Sequence, residues 1–105
     1  VAFAGIGLPD KFFRTVEKLG ARVVARRSFP DHYFYRASDV AELVELAREK
    51  KARLVTTQKD AVRLPAFPEG APRPLAIPVR LVFEDEKAAA ALIAAALARA
   101  RPWKR

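Results

Sequence analysis

Two short segments of this sequence carry side chains that are suited to acid–base or phosphate chemistry. The first is Phe29-Pro30-Asp31-His32-Tyr33, in which a carboxylate stands next to the single imidazole of the chain. Such a pair can orient the imidazole or place it beside another carboxylate. The alternative is a plain turn in which Asp31 caps the backbone and His32 is solvated, and the residues alone favour that alternative.

The second segment is Thr56-Thr57-Gln58-Lys59-Asp60-Ala61-Val62-Arg63. Thr57 is placed to cap a short helix that begins after it. Lys59 and Arg63 could contact a phosphate through their positive charges. The simpler interpretation is a capped helix whose Lys59 and Asp60 side chains are solvated, and the residues alone favour it.

The segment Gly5-Ile6-Gly7 lies between a predicted strand and a predicted helix, as a dinucleotide-binding fingerprint does. The full fingerprint needs a third glycine three positions later, where Asp10 stands instead. We therefore interpret the segment as a tight strand-to-helix turn. The sequence contains no G-x-x-x-x-G-K-[ST] motif, so this chain has no P-loop of its own.

A basic and aromatic segment lies around residues 26–36. Aromatic rings among basic side chains can stack nucleic acid bases. Rings concentrated in one loop can also pack on a partner domain, which we expect here. The members of the segment are Arg26, Arg27, Phe29, Tyr33, Phe34, Tyr35 and Arg36.

The net charge of +8 attracts polyanions, namely nucleic acid, an anionic membrane or phosphorylated ligands, and does not choose among them. A chain without cysteine and with a single histidine makes no disulfide, thiolate nucleophile or multi-histidine zinc site by itself. Neither a signal peptide nor an apolar run long enough to cross a bilayer is visible. These absences favour a cytoplasmic domain. Since Val1 is not a native start, we also expect the chain to be a fragment.

Alternating strand and helix patterns predict the elements that position these segments. Strands are predicted at residues 1–6, 21–25, 53–56 and 75–83, with Pro78 making the last an edge strand or delaying its start to residue 79. Helices are predicted at about residues 9–19, 38–51, 58–64 and 85–101, followed by a basic tail at residues 103–105. An apolar stripe of Val40, Leu43, Val44 and Ala47 marks the core-facing side of the second helix.

Short links between strands and helices imply parallel strands with right-handed crossovers. We predict an α/β fold, a small three-layer Rossmann-like sandwich with a mainly parallel four-stranded sheet. The expected strand order is 2-1-3-4, by analogy with flavodoxin-like sheets. All of residues 1–105 are expected to form one domain.

Taken in order, these segments resemble the C-terminal third of tetraacyldisaccharide 4'-kinases, the lipid A 4'-kinases. The resemblance runs over about residues 1–83 and is carried by Ala2-Phe3-Ala4-Gly5-Ile6-Gly7, Pro9, Phe12-Phe13, Phe29-Pro30-Asp31-His32 and the segment from Thr56 to Arg63. It implies a domain that packs against an N-terminal P-loop kinase domain of the same polypeptide. The active site would lie in the cleft between the two domains.

The resemblance also implies a reaction. The γ-phosphoryl group of ATP moves, with Mg²⁺, to the 4'-hydroxyl of the tetraacyldisaccharide 1-phosphate precursor of lipid A, at the cytoplasmic face of the inner membrane. ATP and Mg²⁺ would be bound mainly by the missing domain, with no cofactor or metal site in this chain. The fragment alone is expected to be soluble and inactive.

Within this chain, the resemblance makes His32 the family histidine that orients the catalytic aspartate of the other domain, with Asp31 in support. Lys59 and Arg63 are expected to bind substrate or phosphate. The lipid A precursor, the anionic inner-membrane surface and the P-loop domain are the expected partners, and nucleic acid is not. Two alternatives stay open at this stage, a basic nucleic-acid-binding module and a stand-alone interaction domain without kinase ancestry.

Overall fold

A computed structural model of the chain describes residues 1–68 and 70–98. Within these residues the strands are β1 (Ala2–Ala4), β2 (Arg26–Ser28), β3 (Val55–Thr57) and β4 (Leu75–Ile77). They form one parallel sheet in the order β2-β1-β3-β4. The predicted α/β class and the predicted strand order are therefore confirmed.

Helices connect the strands and cover both faces of the sheet. They are α1 (Pro9–Lys18), α2 (Ala37–Lys50), α3 (Gln58–Ala61), α4 (Val79–Glu84) and α5 (Glu86–Ala98). No helix among the described residues is long and apolar enough to span a bilayer. The arrangement of helix, sheet and helix confirms the predicted three layers.

Alternation along β1 divides the core into two clusters, because successive side chains of a strand point to opposite faces. Phe3 belongs to the cluster under α2, where the predicted stripe of Val40, Leu43, Val44 and Ala47 is buried. Ala2 and Ala4 belong to the cluster under α1 and α5, with Phe12, Phe13, Val16, Ile77 and Ile93. The central strand is thus buried on both faces, as is usual for a parallel sheet.

Helix ends follow local rules at most positions. Pro9 occupies the first position of α1, where its missing N–H is no loss, and Leu8 before it offers no side-chain cap. Gly20, at φ 115°, turns the chain after α1. At the start of α2 the carboxylate of Asp39 accepts the Arg36 N–H at 2.8 Å.

The prediction for the second strand was wrong in its position. Residues 21–25 carry the apolar run that predicted a strand, yet β2 is formed by Arg26–Ser28, whose side chains are all exposed. The Ala2 N–H donates to the carbonyl of Ala25 and the Phe29 N–H donates to that of Ala4, and these bonds fix the alignment. An edge strand is selected by its backbone partners, so its side chains need not be apolar.

The prediction for the fourth strand was wrong in its length. β4 ends at Ile77, and the residues predicted to continue it form α4. Pro78 stands before the helix at φ −59°, a position where proline is favoured because it needs no ladder hydrogen bond. The next helix, α5, begins at Glu86, close to its predicted start. Its predicted end at Arg101 and the basic tail at residues 103–105 lie outside the described residues.

Candidate functional site

The carboxyl edge of the sheet holds a concavity of about 320 Å³. This is the edge at which open α/β sheets bind ligands. Its lining includes Asp31, His32, Lys59 and Arg63, the four residues that the sequence singled out. The rest of the lining consists of Gly5, Ile6, Gly7, Leu8 and Val79. Loops that follow β1, β2 and β3 therefore bring together residues that are far apart in the sequence.

His32 is held in a backbone conformation that few side chains adopt. Its φ is 59°, in the left-handed region, which costs a non-glycine residue about 1–2 kcal/mol. The His32 N–H donates to the carbonyl of Gly5 at 3.2 Å, and the Tyr33 N–H donates to that of Pro30 at 3.1 Å. The loop thus fixes the backbone of His32, while its side chain stays 73% exposed.

The imidazole of His32 has a neighbour on each nitrogen. Nη2 of Arg63 lies 3.0 Å from Nδ1 of the ring. A guanidinium group can only donate, so Nδ1 accepts and the neutral ring carries its proton on Nε2. Oδ2 of Asp31 lies 3.8 Å from Nε2. The ring therefore presents an N–H group on the side that faces the carboxylate of Asp31.

Charge in the concavity is dominated by two cations. Lys59 is exposed and Arg63 is half-buried, and both line the concavity together with His32. Asp31, with a side chain 54% exposed, is the one carboxylate among the lining residues. Two fixed positive charges against one negative charge favour an anionic ligand such as a phosphate.

Asp60 is the residue that the sequence interpretation missed. It was expected to be solvated, but it is fully buried. Its Oδ1 accepts the Gly5 N–H at 3.1 Å and the Tyr35 hydroxyl at 3.0 Å, and its Oδ2 accepts the Thr57 hydroxyl at 2.5 Å. A buried carboxylate needs such donors. Because two of them lie 25 and 55 residues away, no local sequence pattern could have revealed the contact.

The cap predicted for the short helix is confirmed. Oγ1 of Thr57 accepts the Asp60 N–H at 3.0 Å, which ties the first turn of α3 to the end of β3. The next residue back, Thr56, is also buried, and its hydroxyl donates to the carbonyl of Phe3 at 2.8 Å. The Thr57 hydroxyl therefore ties α3 to β3, and the Thr56 hydroxyl ties β3 to the central strand.

The segment Gly5-Ile6-Gly7 forms a tight turn, as predicted. A Cβ on Gly5 would lie 2.9 Å from the carbonyl oxygen of Pro30 and 3.2 Å from Oδ1 of Asp60. Gly5 is therefore required by the close approach of the loop after β2. The backbone packing around Gly5 accounts for this glycine without a nucleotide.

Aromatic side chains near the site face mostly inward. Phe29 stacks on Tyr33 with ring centroids 5.0 Å apart, and Tyr35 packs on Phe3 at 5.8 Å. Tyr35 is buried, Phe29 and Tyr33 are half-buried against the core, and Phe34, 86% exposed, has the most ring surface available to a partner. The packing of this loop on a partner domain stays a prediction. Burial raises the pKa of Tyr35 well above its usual range, and the nearby charge and hydrogen bond of Asp60 raise it further.

Comparisons with known proteins agree with one another. The model of the family described as tetraacyldisaccharide-1-P 4'-kinase matches residues 1–98. The tetraacyldisaccharide 4'-kinase of Methylorubrum populi is 54% identical over 100 residues, which cover 95% of this chain and 30% of that protein. The tetraacyldisaccharide 4'-kinase of Rhodospirillum rubrum is 52% identical over 93 residues, which cover 89% of this chain and 28% of that protein.

A more distant relative, the tetraacyldisaccharide 4'-kinase of Parvibaculum lavamentivorans, is 44% identical over 107 residues, covering 96% of this chain and 31% of that protein. The chain thus spans about three tenths of the length of the curated relatives it matches. No solved structure matches it.

Proposed function

Because this chain belongs to the tetraacyldisaccharide 4'-kinase family, we propose that it is the C-terminal domain of an ATP-dependent lipid A 4'-kinase. The observation that carries the proposal is the convergence of Asp31, His32, Lys59 and Arg63 on one concavity at the carboxyl edge of the sheet. Family membership also removes the alternative of an interaction domain without kinase ancestry. The inward packing of Phe29, Tyr33 and Tyr35 disfavours a surface that stacks nucleic acid bases.

The rest of the active site is assigned to a preceding P-loop domain of the same polypeptide. The chain has no P-loop motif, and it spans about three tenths of its relatives. Among residues 1–68 and 70–98, no group of three or more potential metal ligands is gathered in one place. Bound ATP and Mg²⁺ would supply the phosphoryl group and neutralise its charge, held mainly by that other domain.

His32 is assigned the task of orienting a carboxylate of the other domain. Its Nε2–H group can donate to that carboxylate while Arg63 occupies Nδ1. The carboxylate would in turn accept the proton of the 4'-hydroxyl of tetraacyldisaccharide 1-phosphate. Asp31 supports the ring from the side of Nε2. Phosphoryl transfer depends mostly on positioning and electrostatics, so an orienting imidazole is a substantial contribution.

Lys59 and Arg63 are assigned to an anionic group of the substrates. Both cations line the concavity beside the imidazole, so a phosphate bound there would lie within reach of His32. The same excess of positive charge suits an enzyme that works at the anionic cytoplasmic face of the inner membrane.

The division of labour is tested by separating the two parts. Phosphate transfer from ATP to the lipid acceptor is measured for the complete enzyme, the preceding part alone, this chain alone, and the two parts mixed. We expect this chain alone neither to hydrolyse ATP nor to phosphorylate lipid, because it lacks the anion cradle and the lysine of a P-loop.

The control for this experiment replaces the chain by its Asp31→Asn, His32→Ala form. The altered chain should fail to restore transfer in the mixture, whereas Lys50→Ala on the exposed side of α2 should restore it as wild type does. Turnover by this chain alone, surviving repeated purification, contradicts the proposal. So does full activity of the preceding part without it.

A further inference from the structure

We propose that Asp60 is a positioning residue for His32, whose buried carboxylate fixes the loop that presents the imidazole. The hydrogen bonds that carry this inference are buried, and Asp60 itself is not among the residues that line the concavity. The expected effect of Asp60 on turnover rests on the proposed function. Its expected effect on the position of the His32 ring does not.

The first connection runs through Gly5. Oδ1 of Asp60 accepts the Gly5 N–H at 3.1 Å, and the carbonyl of the same Gly5 accepts the His32 N–H at 3.2 Å. One residue of backbone and two hydrogen bonds therefore separate the Asp60 carboxylate from the backbone of His32. No side chain larger than hydrogen fits at Gly5 without moving Pro30 or Asp60, so the connection has little freedom.

The second connection runs through Tyr35, three residues beyond His32. Its hydroxyl donates to the same Oδ1 at 3.0 Å, and its ring is 5% exposed. The Phe29 ring packs against it with centroids 5.0 Å apart. Phe29 precedes His32 by three residues, so the Asp60 carboxylate holds the loop on both sides of the imidazole.

The third connection reaches the partner of the imidazole. The Thr57 hydroxyl donates to Oδ2 of Asp60 and accepts the Asp60 backbone N–H, so it holds both the carboxylate and the backbone of Asp60. The Arg63 N–H donates to the backbone carbonyl of Asp60 at 3.0 Å. Arg63 is the residue that contacts Nδ1 of His32. Thr57 alone is enough to cap α3. The hydrogen bonds that Gly5 and Tyr35 donate to Asp60 add something else, because they join the His32 loop to α3.

The left-handed backbone of His32 explains why such a joint is needed. A residue at φ 59° relaxes when its loop is released, because the unstrained backbone conformations are about 1–2 kcal/mol lower in energy. Releasing the loop would move the imidazole away from Arg63 and from the concavity. A displacement of about 1 Å can cost about 10²-fold in rate in a positioned active site.

The experiment compares Asp60→Asn with Thr56→Val in the complete enzyme. Thr56→Val removes another fully buried hydrogen bond, that to the carbonyl of Phe3, four positions away from Asp60. It leaves in place the bonds that Gly5 and Tyr35 donate to the Asp60 carboxylate. We expect Asp60→Asn to lower kcat by about 10–10²-fold with a nearly unchanged KM for ATP. Thr56→Val should keep kcat within about threefold at a comparable loss of melting temperature.

A second readout does not depend on activity. His32 is the only histidine of the 105-residue chain, so the imidazole resonances in its NMR spectrum belong to one residue. Asp60→Asn should shift or broaden them, and Thr56→Val should leave them in place. If Asp60→Asn does not fold, Gly5→Ala is measured in its place. The added Cβ would crowd Pro30 and Oδ1 of Asp60, and so disturb the connection to His32 while the Asp60 carboxylate is kept.

The outcomes separate the two proposals. Equal effects of the two variants on kcat and on the imidazole signals, at matched melting temperatures, overturn the positioning role of Asp60. Loss of activity with Asp60→Asn and altered imidazole signals, both absent in Thr56→Val, support it. If His32→Ala leaves turnover unchanged, the proposed function of His32 fails, and the imidazole signals alone still decide whether Asp60 positions the ring.

Discussion

At the scale of single residues, His32 combines an exposed ring with a constrained backbone. We expect His32→Ala in the complete enzyme to lower turnover by about 10²–10⁴-fold, the usual value of assistance to proton transfer. The KM for ATP should change far less, because the nucleotide is assigned to the other domain. Steady-state kinetics with matched thermal melts measure both effects.

A control variant separates the ring from its backbone. Asn tolerates the left-handed region better than Ala does, so His32→Asn should melt as wild type while losing the same activity. Turnover within about threefold of wild type for a folded His32→Ala enzyme would mean that His32 is only a loop residue.

The contact of Arg63 with Nδ1 predicts that the neutral imidazole of His32 carries its proton on Nε2. In Arg63→Met we expect both tautomers of neutral His32 to be populated, which ¹⁵N spectra of the single imidazole would detect. We also expect kcat to fall by about tenfold, the lower end of the effect of removing partners that orient metal-bound histidines. Lys59→Met is the matched control, because Lys59 lines the same concavity and no hydrogen bond from it to the ring is observed.

The two cations are expected to differ in their kinetic effect. If Lys59 binds a phosphate, Lys59→Met should raise the KM of a phosphorylated substrate and leave the tautomer unchanged. An unchanged ¹⁵N spectrum in Arg63→Met would show that the contact at 3.0 Å does not determine the tautomer.

At the scale of elements, Tyr35 links the loop after β2 to α3 through Asp60. Removing its hydroxyl takes one hydrogen bond away from Oδ1 of the buried Asp60 carboxylate, which costs about 1–3 kcal/mol. We therefore expect Tyr35→Phe to lower the free energy of unfolding by that amount near neutral pH. Urea titrations of the chain measure this loss. Tyr33→Phe, which removes a hydroxyl bound to the half-buried Asp39, should cost less.

The raised pKa of Tyr35 predicts the direction of a pH effect as well. The folded chain holds this phenol in its neutral form. Its contribution to the free energy of unfolding is therefore complete below the pKa of about 10 that tyrosine has in the unfolded chain. It is lost as pH rises above that value, because the unfolded phenol ionises first. The decline of stability above pH 10 should therefore be smaller in Tyr35→Phe than in wild type. Equal declines would contradict the assignment.

At the scale of the whole molecule, the two clusters on either side of the sheet supply internal partners for the main apolar stripes. We expect the isolated chain to fold cooperatively, with a dispersed amide spectrum and a single thermal transition. Phe3→Ala, in the buried centre of the sheet, should lower the free energy of unfolding by about 3–5 kcal/mol. Phe34→Ala should change it by less than about 0.5 kcal/mol, since that ring is 86% exposed. A collapsed, poorly dispersed spectrum of the wild-type chain would contradict the expectation.

Sequence patterns alone determined the α/β class, the parallel sheet and the core-facing stripe of α2, whereas the strand order was expected by analogy with flavodoxin-like sheets and is confirmed by the structure. They also determined the cap that Thr57 provides and the family to which the chain is related. Each of these depends on periodicity, on a capping residue or on the order of motifs, which are properties of residues close together in the sequence. Candidate site residues could also be singled out from the sequence. They lie in the loops that follow the predicted strands, and parallel strands place those loops at one edge of the sheet.

Tertiary structure alone decided where β2 lies, where β4 ends and which carboxylate is buried. The apolar run at residues 21–25 predicted a strand by its composition, but the bonds from Ala2 and Phe29 select the exposed residues of β2 instead. Asp60 has the composition of a solvated helix residue, and it is buried because donors arrive from distant segments. Such partners meet only when the sheet is assembled. The contacts of Gly5 and Tyr35 with Asp60 therefore follow from the topology and not from the local sequence. The same holds for the contact of Arg63 with His32.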